Sequence, residues 1–556
     1  MDNFNVKEFD VLIIGGGIAG CMAGIRARES GVNVAILEKG NTLRSGCAST
    51  GIDHCWSYIP EIHEKIFSLD DLVDDHVAFG KGMVDRSLVK MIAENSYNRV
   101  LDLERFGVPM RDEKGNFRLI KKIHRTPTFI HFAGRDLKVK LTKEARKRGV
   151  VIENRLMVTD LLVNEDRVAG ALALATREGR WNIYKGKTVI IATGGVYRLY
   201  RNPTGMPFNI SHAPHASGDG HAMAFRAGAR LLNMEMVDYH TGPKNFQRAG
   251  RGSYVPGVMR NGLGELLGKG NAGSKNALDR SAENIEVFRS IIRNGQGPLY
   301  MDCTANTKEQ NDYIRWALSN EGNTSFLNYL DEEGIDINKD MIEFTVYEPK
   351  ISGGQSGIEI NTECETSLRG LYAAGDVIGG IKRSVCPGAL VMGWIAGENA
   401  AKLAKDLTVA ELDEKAKSTI QARTILSKSF SKEKETGSSW LEAQLAIQNI
   451  MENYAGEVKS QILLTRGLKQ LSRMRELVED EVKVETAHEL YRAMEVVSLL
   501  DVGEMLITAA LARKESRGVG FQRSDYPETN ENWLKFISLE KKTGGITVQE
   551  RPINLV

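Results

Sequence analysis

The stretch FDVLIIGGGIAGCMAGIRARESGVNVAILEKG, residues 9–40, decides the fold. Its four apolar residues from Val11 to Ile14 suit a parallel strand buried on both faces. Gly15, Gly17 and Gly20 follow at the G-x-G-x-x-G spacing of a dinucleotide site. The first permits a sharp turn, the second lets a pyrophosphate approach the backbone, and the third lets the next helix pack on the strand. Ile18 and Ala19 open that helix, whose unpaired N–H groups and dipole favour phosphate. A second apolar strand ends at Glu38-Lys39, where the carboxylate is placed to accept from a ribose hydroxyl. The competing reading is a glycine-rich turn without a ligand; the strand, helix and acid around these glycines favour the nucleotide.

At 556 residues the chain is long enough for two or three domains. Lys plus Arg total 73 against 72 Asp plus Glu, and no basic block stands out, so a nucleic-acid partner is not expected. The polar start MDNFNVKEFD is read as neither a signal nor a transit peptide, and no apolar run suits a membrane span, so a cytoplasmic location is expected. The six cysteines are scattered with no C-x-x-C pair. No metal or iron–sulfur cluster is therefore expected on this chain.

Two later pieces extend the fingerprint. TVIIATGG (188–195) reads as a buried strand ending in a small-residue turn, and LRGLYAAGDV (368–377) as a strand ending in Gly375-Asp376. With SGDGHAMAFRAGARLLNMEMVDYH (217–240), GPLYMDCT (297–304) and ESRGVGFQRSDYPETNENWLK (515–535), the sequence resembles the flavoprotein subunits of succinate dehydrogenase and fumarate reductase. L-aspartate oxidase and the α subunit of adenylylsulfate reductase are relatives in that family. The resemblance covers nearly the whole chain, and its pattern is nearest to the adenylylsulfate reductase branch.

This resemblance implies FAD, with Asp376 on its ribitol chain and Thr193, Gly194 and Asp219 among its contacts. It implies an α/β fold: a split Rossmann-like FAD-binding domain (1–240 and 345–405), an inserted α+β capping domain (241–344), and a C-terminal helical domain with a tail (406–556). The glycine-rich, basic stretch from Gly242 to Lys275 marks the insertion in the chain itself. After Asp376, CPGALVMGWIAGENAAKLA starts a helix whose N-terminus, at Gly388, Ala389 and Leu390, is aimed by family geometry at the flavin O2 region. No second nucleotide fingerprint for NAD(P)H follows; NGLGELLGKG (261–270) has no buried strand before it.

In RSGCASTGIDHCWSYIP (44–60), Arg44-Ser45-Gly46 aligns with the R-S-H of relatives whose histidine bonds the flavin. Gly46 takes that place, so non-covalent FAD is expected, with Ser45, Gly46, Ser49, Thr50 and Gly51 lining it. His54 and Trp56 lie where relatives place substrate residues. The dicarboxylate enzymes of the family hold substrate with histidines and arginines, and arginine suits carboxylate or sulfate because it is always charged and forked. His240 aligns with the first such histidine, and Arg280 is the nearest match to the proton-handling cap arginine; a solvated cap arginine is the competing reading. The second histidine is missing, with Ser352 in its place. Lys382 and Arg383 stand where many relatives have a histidine, and Lys244 falls where adenylylsulfate reductase has an arginine.

The function implied is an FAD-dependent oxidoreductase for a small anionic substrate other than succinate or fumarate. It would be the catalytic subunit of a complex, possible oligomers included, that exchanges electrons through an iron–sulfur partner. A stand-alone fumarate reductase or L-aspartate oxidase-like enzyme is the first alternative, and a non-catalytic FAD relay or assembly subunit the second.

Overall fold

The computed structural model describes residues 4–121, 123–210, 212–246, 257–267, 281–430 and 436–553, except for the side chains of 281–286. At the centre lies a seven-stranded sheet ordered Val151–Asn154, Val34–Glu38, Asn5–Ile14, Trp181–Ile191, Val168–Ala175 and Leu156–Val163, with Leu371–Ala373 also paired to Trp181–Ile191. The fingerprint strand is parallel to both neighbours, Val11 facing Val34 on one side and Thr188 on the other. Leu371–Ala373 joins in parallel at Val189–Ile191. The three apolar runs separated by hundreds of residues in the sequence thus end side by side. Val11, Leu12, Ile13, Val189, Ile190 and Ile191 are wholly buried. Each such side chain contributes about 1.5–3 kcal/mol on leaving water.

Helix Ile18–Glu29 leaves the glycine turn and packs against helix Val385–Lys405. The contact is backbone to backbone: a Cβ on Gly393 would lie 2.4 Å from the Ala19 carbonyl oxygen, and one on Gly397 would lie 2.4 Å from that of Ala23. Glycines four apart on one helix face allow this approach, and both helices bring their first turns to the same cavity.

The inserted segment forms its own antiparallel sheet, ordered Thr241–Pro243, Ile342–Val346, Leu299–Asp302 and Val258–Arg260, with helices Lys308–Asn320 and Thr324–Glu332. Thr241 pairs with Val346, so chain entry and exit are adjacent strands, and the exit strand runs past residue 344. A small three-stranded sheet, ordered His54–Trp56, Phe129–His131 and Arg118–Ile120, reaches toward this cap.

Four helices follow residue 406: Glu414–Ser429, Trp440–Ala455, Gln461–Glu481 and Ala487–Ala512. The chain's last segment is not helical. Lys535–Lys542 and Gly545–Pro552 form a hairpin that pairs with Leu231–Leu232 in a four-stranded sheet, because Phe536, Ile537 and Leu539 bury against the first segment. Among the described residues no helix is long and apolar enough to cross a membrane.

Candidate active site

A cavity of about 1750 Å³, its open mouth included, runs along the carboxyl ends of the central strands. At its near end Gly15 turns with φ +102°, and a Cβ on Gly20 would sit 1.9 Å from the Gly15 carbonyl oxygen. No side chain but hydrogen fits there. Gly17, which caps helix Ile18–Glu29, meets nothing within 4 Å of the place of its missing Cβ. The helix N-terminus therefore opens onto the cavity, where its N–H groups favour phosphate. Glu38 shapes this turn, accepting from the Gly16 N–H at 2.7 Å and the Gly40 N–H at 2.6 Å. A carboxylate keeps further lone pairs for a ribose hydroxyl. The Thr193 hydroxyl, on the cavity wall, is buried with no hydrogen-bond partner among the described residues. Open space at a helix N-terminus and an orphaned hydroxyl fit a bound dinucleotide.

One wall is electrostatic. The Lys39 ammonium donates to Asp219 at 2.6 Å, to Glu495 at 2.6 Å and to Ser217 at 3.0 Å. Burial works against its charge, but Asp219 and Glu495 outweigh burial and hold the lysine above its usual range. Glu495, wholly buried on helix Ala487–Ala512, also receives Arg198 at 2.6 Å and Arg492 at 2.8 Å. Three cations drive its carboxyl far down despite burial. A helix from the C-terminal bundle thus anchors a lysine of the cavity wall from behind.

The other end gathers charge on Asp238. Its two oxygens lie 3.5 Å from an Arg383 Nη and 3.5 Å from His240 Nδ1. Burial raises this carboxyl, but Arg383, Lys350 and Lys382 overcome burial and lower it. His212 stacks on Tyr197 at 4.8 Å, and its Nδ1 accepts from Lys350 at 3.4 Å. Arg383 and Val385 take left-handed backbone angles, φ +52° and +41°, just where helix Val385–Lys405 begins. Such angles in non-glycine residues cost roughly 1–3 kcal/mol each and cluster at functional sites. On the third side His54 lines the cavity, its Nδ1 2.5 Å from Asp53.

Residues 10–389 match the family described as FAD binding domain, and residues 444–556 match fumarate reductase flavoprotein C-term. The chain belongs to the fumarate reductase and succinate dehydrogenase flavoprotein family. It is an FAD-dependent oxidoreductase. A fumarate reductase (CoM/CoB) subunit of Methanothermobacter marburgensis is 26% identical over 96% of this chain and 97% of its own length. L-aspartate oxidase of Yersinia pestis is 26% identical over 94% and 97%. In fold the flavoprotein is similar to adenylylsulfate reductase from Archaeoglobus fulgidus, with TM-score 0.85, 24% identity and 99% and 97% of the two chains covered.

Most of the flavoprotein's expected cofactor positions converge. Gly15, Gly17, Ile18, Ala19, Glu38 and Lys39 line the cavity, and so do Gly46, Gly51, Thr193, Gly194 and Asp219. Gly375, Asp376 and Ala389 close it from the second segment. Ser45, Ser49, Thr50, Gly20, Gly388 and Leu390 act one step away. The Ser45 hydroxyl donates to the Gly16 carbonyl at 3.2 Å, and the Thr50 hydroxyl to the Glu321 carbonyl at 3.0 Å. The Ser49 N–H donates to the Gly46 carbonyl, Leu390 is in the core, and a Cβ on Gly388 would meet Ser384 at 2.4 Å.

Of the expected substrate residues, His54, His240 and Arg383 reach the cavity. Lys244 does not: its ammonium pairs with Glu343 at 2.6 Å on the exposed side of the cap sheet. Lys382 lies over the Phe79 ring at 5.4 Å, and Trp56 is buried in the core between the rings of His76 and His124, each 5.4 Å away. Neither lines the cavity. Arg280 is outside the described residues. Sequence reasoning missed Asp238, Lys350, His212, Asp53 and Glu495. Asp53 and Asp238 stand inside quoted motifs, where a polar residue was the available signal; Lys350, His212 and Glu495 lie outside them.

Proposed function

We propose that this flavoprotein is the catalytic subunit of a reductase or dehydrogenase acting on a small anion, with non-covalent FAD and an iron–sulfur partner. The observation that carries the anionic substrate is the group of His240, Arg383 and the neighbouring Lys350 and His212 around Asp238. Asp238 neutralises part of this charge and holds the cations in place, and a net positive site remains for carboxylate or sulfate. The Gly15–Gly20 turn would hold the FAD pyrophosphate and Glu38 the adjoining ribose. The first turn of helix Val385–Lys405 would face the flavin, where its dipole favours negative charge. FAD supplies two-electron exchange when bound.

Gly46 offers no side chain to bond a flavin; its N–H donates to His215 Nε2 at 3.1 Å. The electron partner is supported by relatives named as subunits, including the Rickettsia felis succinate dehydrogenase flavoprotein subunit, and by the missing NAD(P)H fingerprint. A cytoplasmic location belongs to the same proposal. The deciding experiment mixes the anaerobically reduced holoprotein with fumarate or other enoates, and the oxidised holoprotein with sulfite plus AMP. An anion that changes the flavin spectrum at micromolar to millimolar concentration names the substrate class; a flavin inert to all of them sinks the reading. The Yersinia pestis relative keeps an L-aspartate oxidase reading open. Peroxide release with L-aspartate would favour it.

A further inference from the structure

Behind the fingerprint turn lies a buried cation without a counter-charge. Lys138, near the start of helix Leu137–Lys147, is wholly buried. Its Nζ donates to the Thr42 carbonyl at 2.7 Å, to the Thr142 hydroxyl at 3.1 Å and to Cys21 Sγ at 3.2 Å. The carbonyl only accepts. The Thr142 hydroxyl spends its own hydrogen on the Thr42 or Lys138 carbonyl, at 3.0 or 2.9 Å, and the Cys21 S–H faces the Gly16 carbonyl at 3.6 Å. Three acceptors therefore meet three N–H donors, which makes the group an ammonium. No carboxylate among the described residues pairs with it. Lysines are almost never fully buried without such a partner, because a charge taken out of water needs its counter-charge.

Cys21 closes the first turn of helix Ile18–Glu29. Its thiol and the Ser45 hydroxyl, the latter at 3.2 Å, both hold the Gly16 carbonyl inward. A trans peptide points its C=O and N–H in opposite directions, so the Gly17 N–H turns the other way, toward the open cavity. Thr42 touches the same peptide: a Cβ on Gly16 would lie 2.6 Å from Thr42 Oγ1. The cation thus stands one layer behind the backbone that a pyrophosphate would approach. On the cavity wall itself Lys39 is taken by Asp219 and Glu495, and Glu38 adds a further acid. This end of the wall is net acidic, and a diphosphate would meet repulsion there unless it were offset from behind.

We propose that Lys138 is the buried counter-charge of the FAD diphosphate, acting through the Gly16–Gly17 peptide that it underlies. The inference rests on the reading of the Gly15–Gly20 turn as the FAD pyrophosphate site. Lys138 does not line the cavity, so it is a positioning residue whose field reaches the phosphates through protein, where charges are screened less than in water. Without FAD the ammonium is held by neutral acceptors alone. Its charge therefore costs the empty chain stability and returns that stability when the diphosphate binds.

The test is FAD binding to the full chain stripped of its flavin, followed by flavin fluorescence, with ADP and adenosine as competing probes. Wild type is compared with Lys138→Met, which keeps the apolar stem and removes the charge. A unit charge acting over roughly 10 Å at an effective dielectric constant of about 20 is worth about tenfold in an equilibrium constant. The variant should bind FAD and ADP about tenfold more weakly or worse, with adenosine, which lacks phosphate, changed less than about twofold. Urea unfolding of the stripped chain should give Lys138→Met a midpoint at or above that of wild type, whereas a purely structural lysine would lower it on removal. Unchanged binding of FAD and ADP overturns the proposal, and so does a lowered midpoint or an equal weakening of FAD, ADP and adenosine. Should Lys138→Met not fold, Lys138→Gln, which keeps a donor for the Thr42 carbonyl, is measured in its place; failure of both to fold marks a structural lysine and also overturns the proposal. A wild-type chain on which ADP does not compete with FAD instead sinks the assignment of the turn to the pyrophosphate.

Discussion

Acid should destabilise this flavoprotein through His76 well above the range where carboxylates titrate. The imidazole is wholly buried, and its Nε2–H donates to the Lys382 carbonyl at 2.7 Å. Because a carbonyl only accepts, Nδ1 must accept from His124 Nε2–H at 3.0 Å, and His124 Nδ1 from the Thr128 hydroxyl at 2.6 Å. A second proton on His76 would set two donors against each other. Burial is the largest cause of its shift; with Lys382 nearby and its carbonyl bond offsetting only part, His76 is lowered from 6.5 to about 4. The folded pKa is depressed, so the unfolded chain takes up the proton first. The stabilisation is fully present above pH 6.5 and is lost as pH falls toward 4. At pH 5 the unfolded imidazole is charged and the folded one is mostly neutral, about 1.5 units below the ordinary value. At about 1.36 kcal/mol per unit the loss is about 2 kcal/mol.

His76→Gln isolates this effect, since glutamine keeps a donor for Lys382 and an acceptor for His124 but does not titrate. Urea unfolding of both holoproteins at pH 7.5 and pH 5, followed by tryptophan fluorescence, should show wild type losing about 2 kcal/mol more than the variant. Equal losses in the two proteins would refute the buried neutral histidine chain.

Three further outcomes follow from the same geometry. Gly20→Ala should yield protein without yellow colour, because its Cβ would collide with the Gly15 carbonyl at 1.9 Å; a variant with one FAD per chain contradicts the close-packed turn. Glu495→Gln leaves Lys39, Arg198 and Arg492 without their shared carboxylate. Breaking a buried pair this way costs about 3–5 kcal/mol, and urea unfolding at wild-type midpoint would show that the network is dispensable. Acid precipitation should leave flavin in the supernatant; colour retained on the washed pellet would place a covalent bond where Gly46 offers none.

The nucleotide fold was legible because its requirements are local. A strand, a turn that tolerates no Cβ and a helix start follow one another within a few residues, and their spacing alone specifies Gly15, Gly17 and Gly20. The same holds for Thr193-Gly194 and Gly375-Asp376, each a strand end with its small-residue turn. The substrate end was only partly legible. His54, His240 and Arg383 reached the cavity, while Trp56, Lys244 and Lys382 stood beside them in sequence and turned into core, solvent or a neighbouring ring. Lys382 and Arg383 are adjacent and point differently, while Trp56 and Lys244 lie two and four residues beyond His54 and His240; a motif does not say how far along it the cavity wall extends.

What the sequence by itself determined was the dinucleotide fold, since it rests on short-range backbone geometry, and, through the family resemblance, the type of cofactor. Tertiary structure alone decided the rest of the site. Glu495 reaches Lys39 across 456 positions and Tyr313 reaches His131 across 182. Such pairings come from the docking of a C-terminal helix and a cap onto the central sheet. No local propensity encodes them, because a buried charge finds its partner only after the elements carrying both have packed.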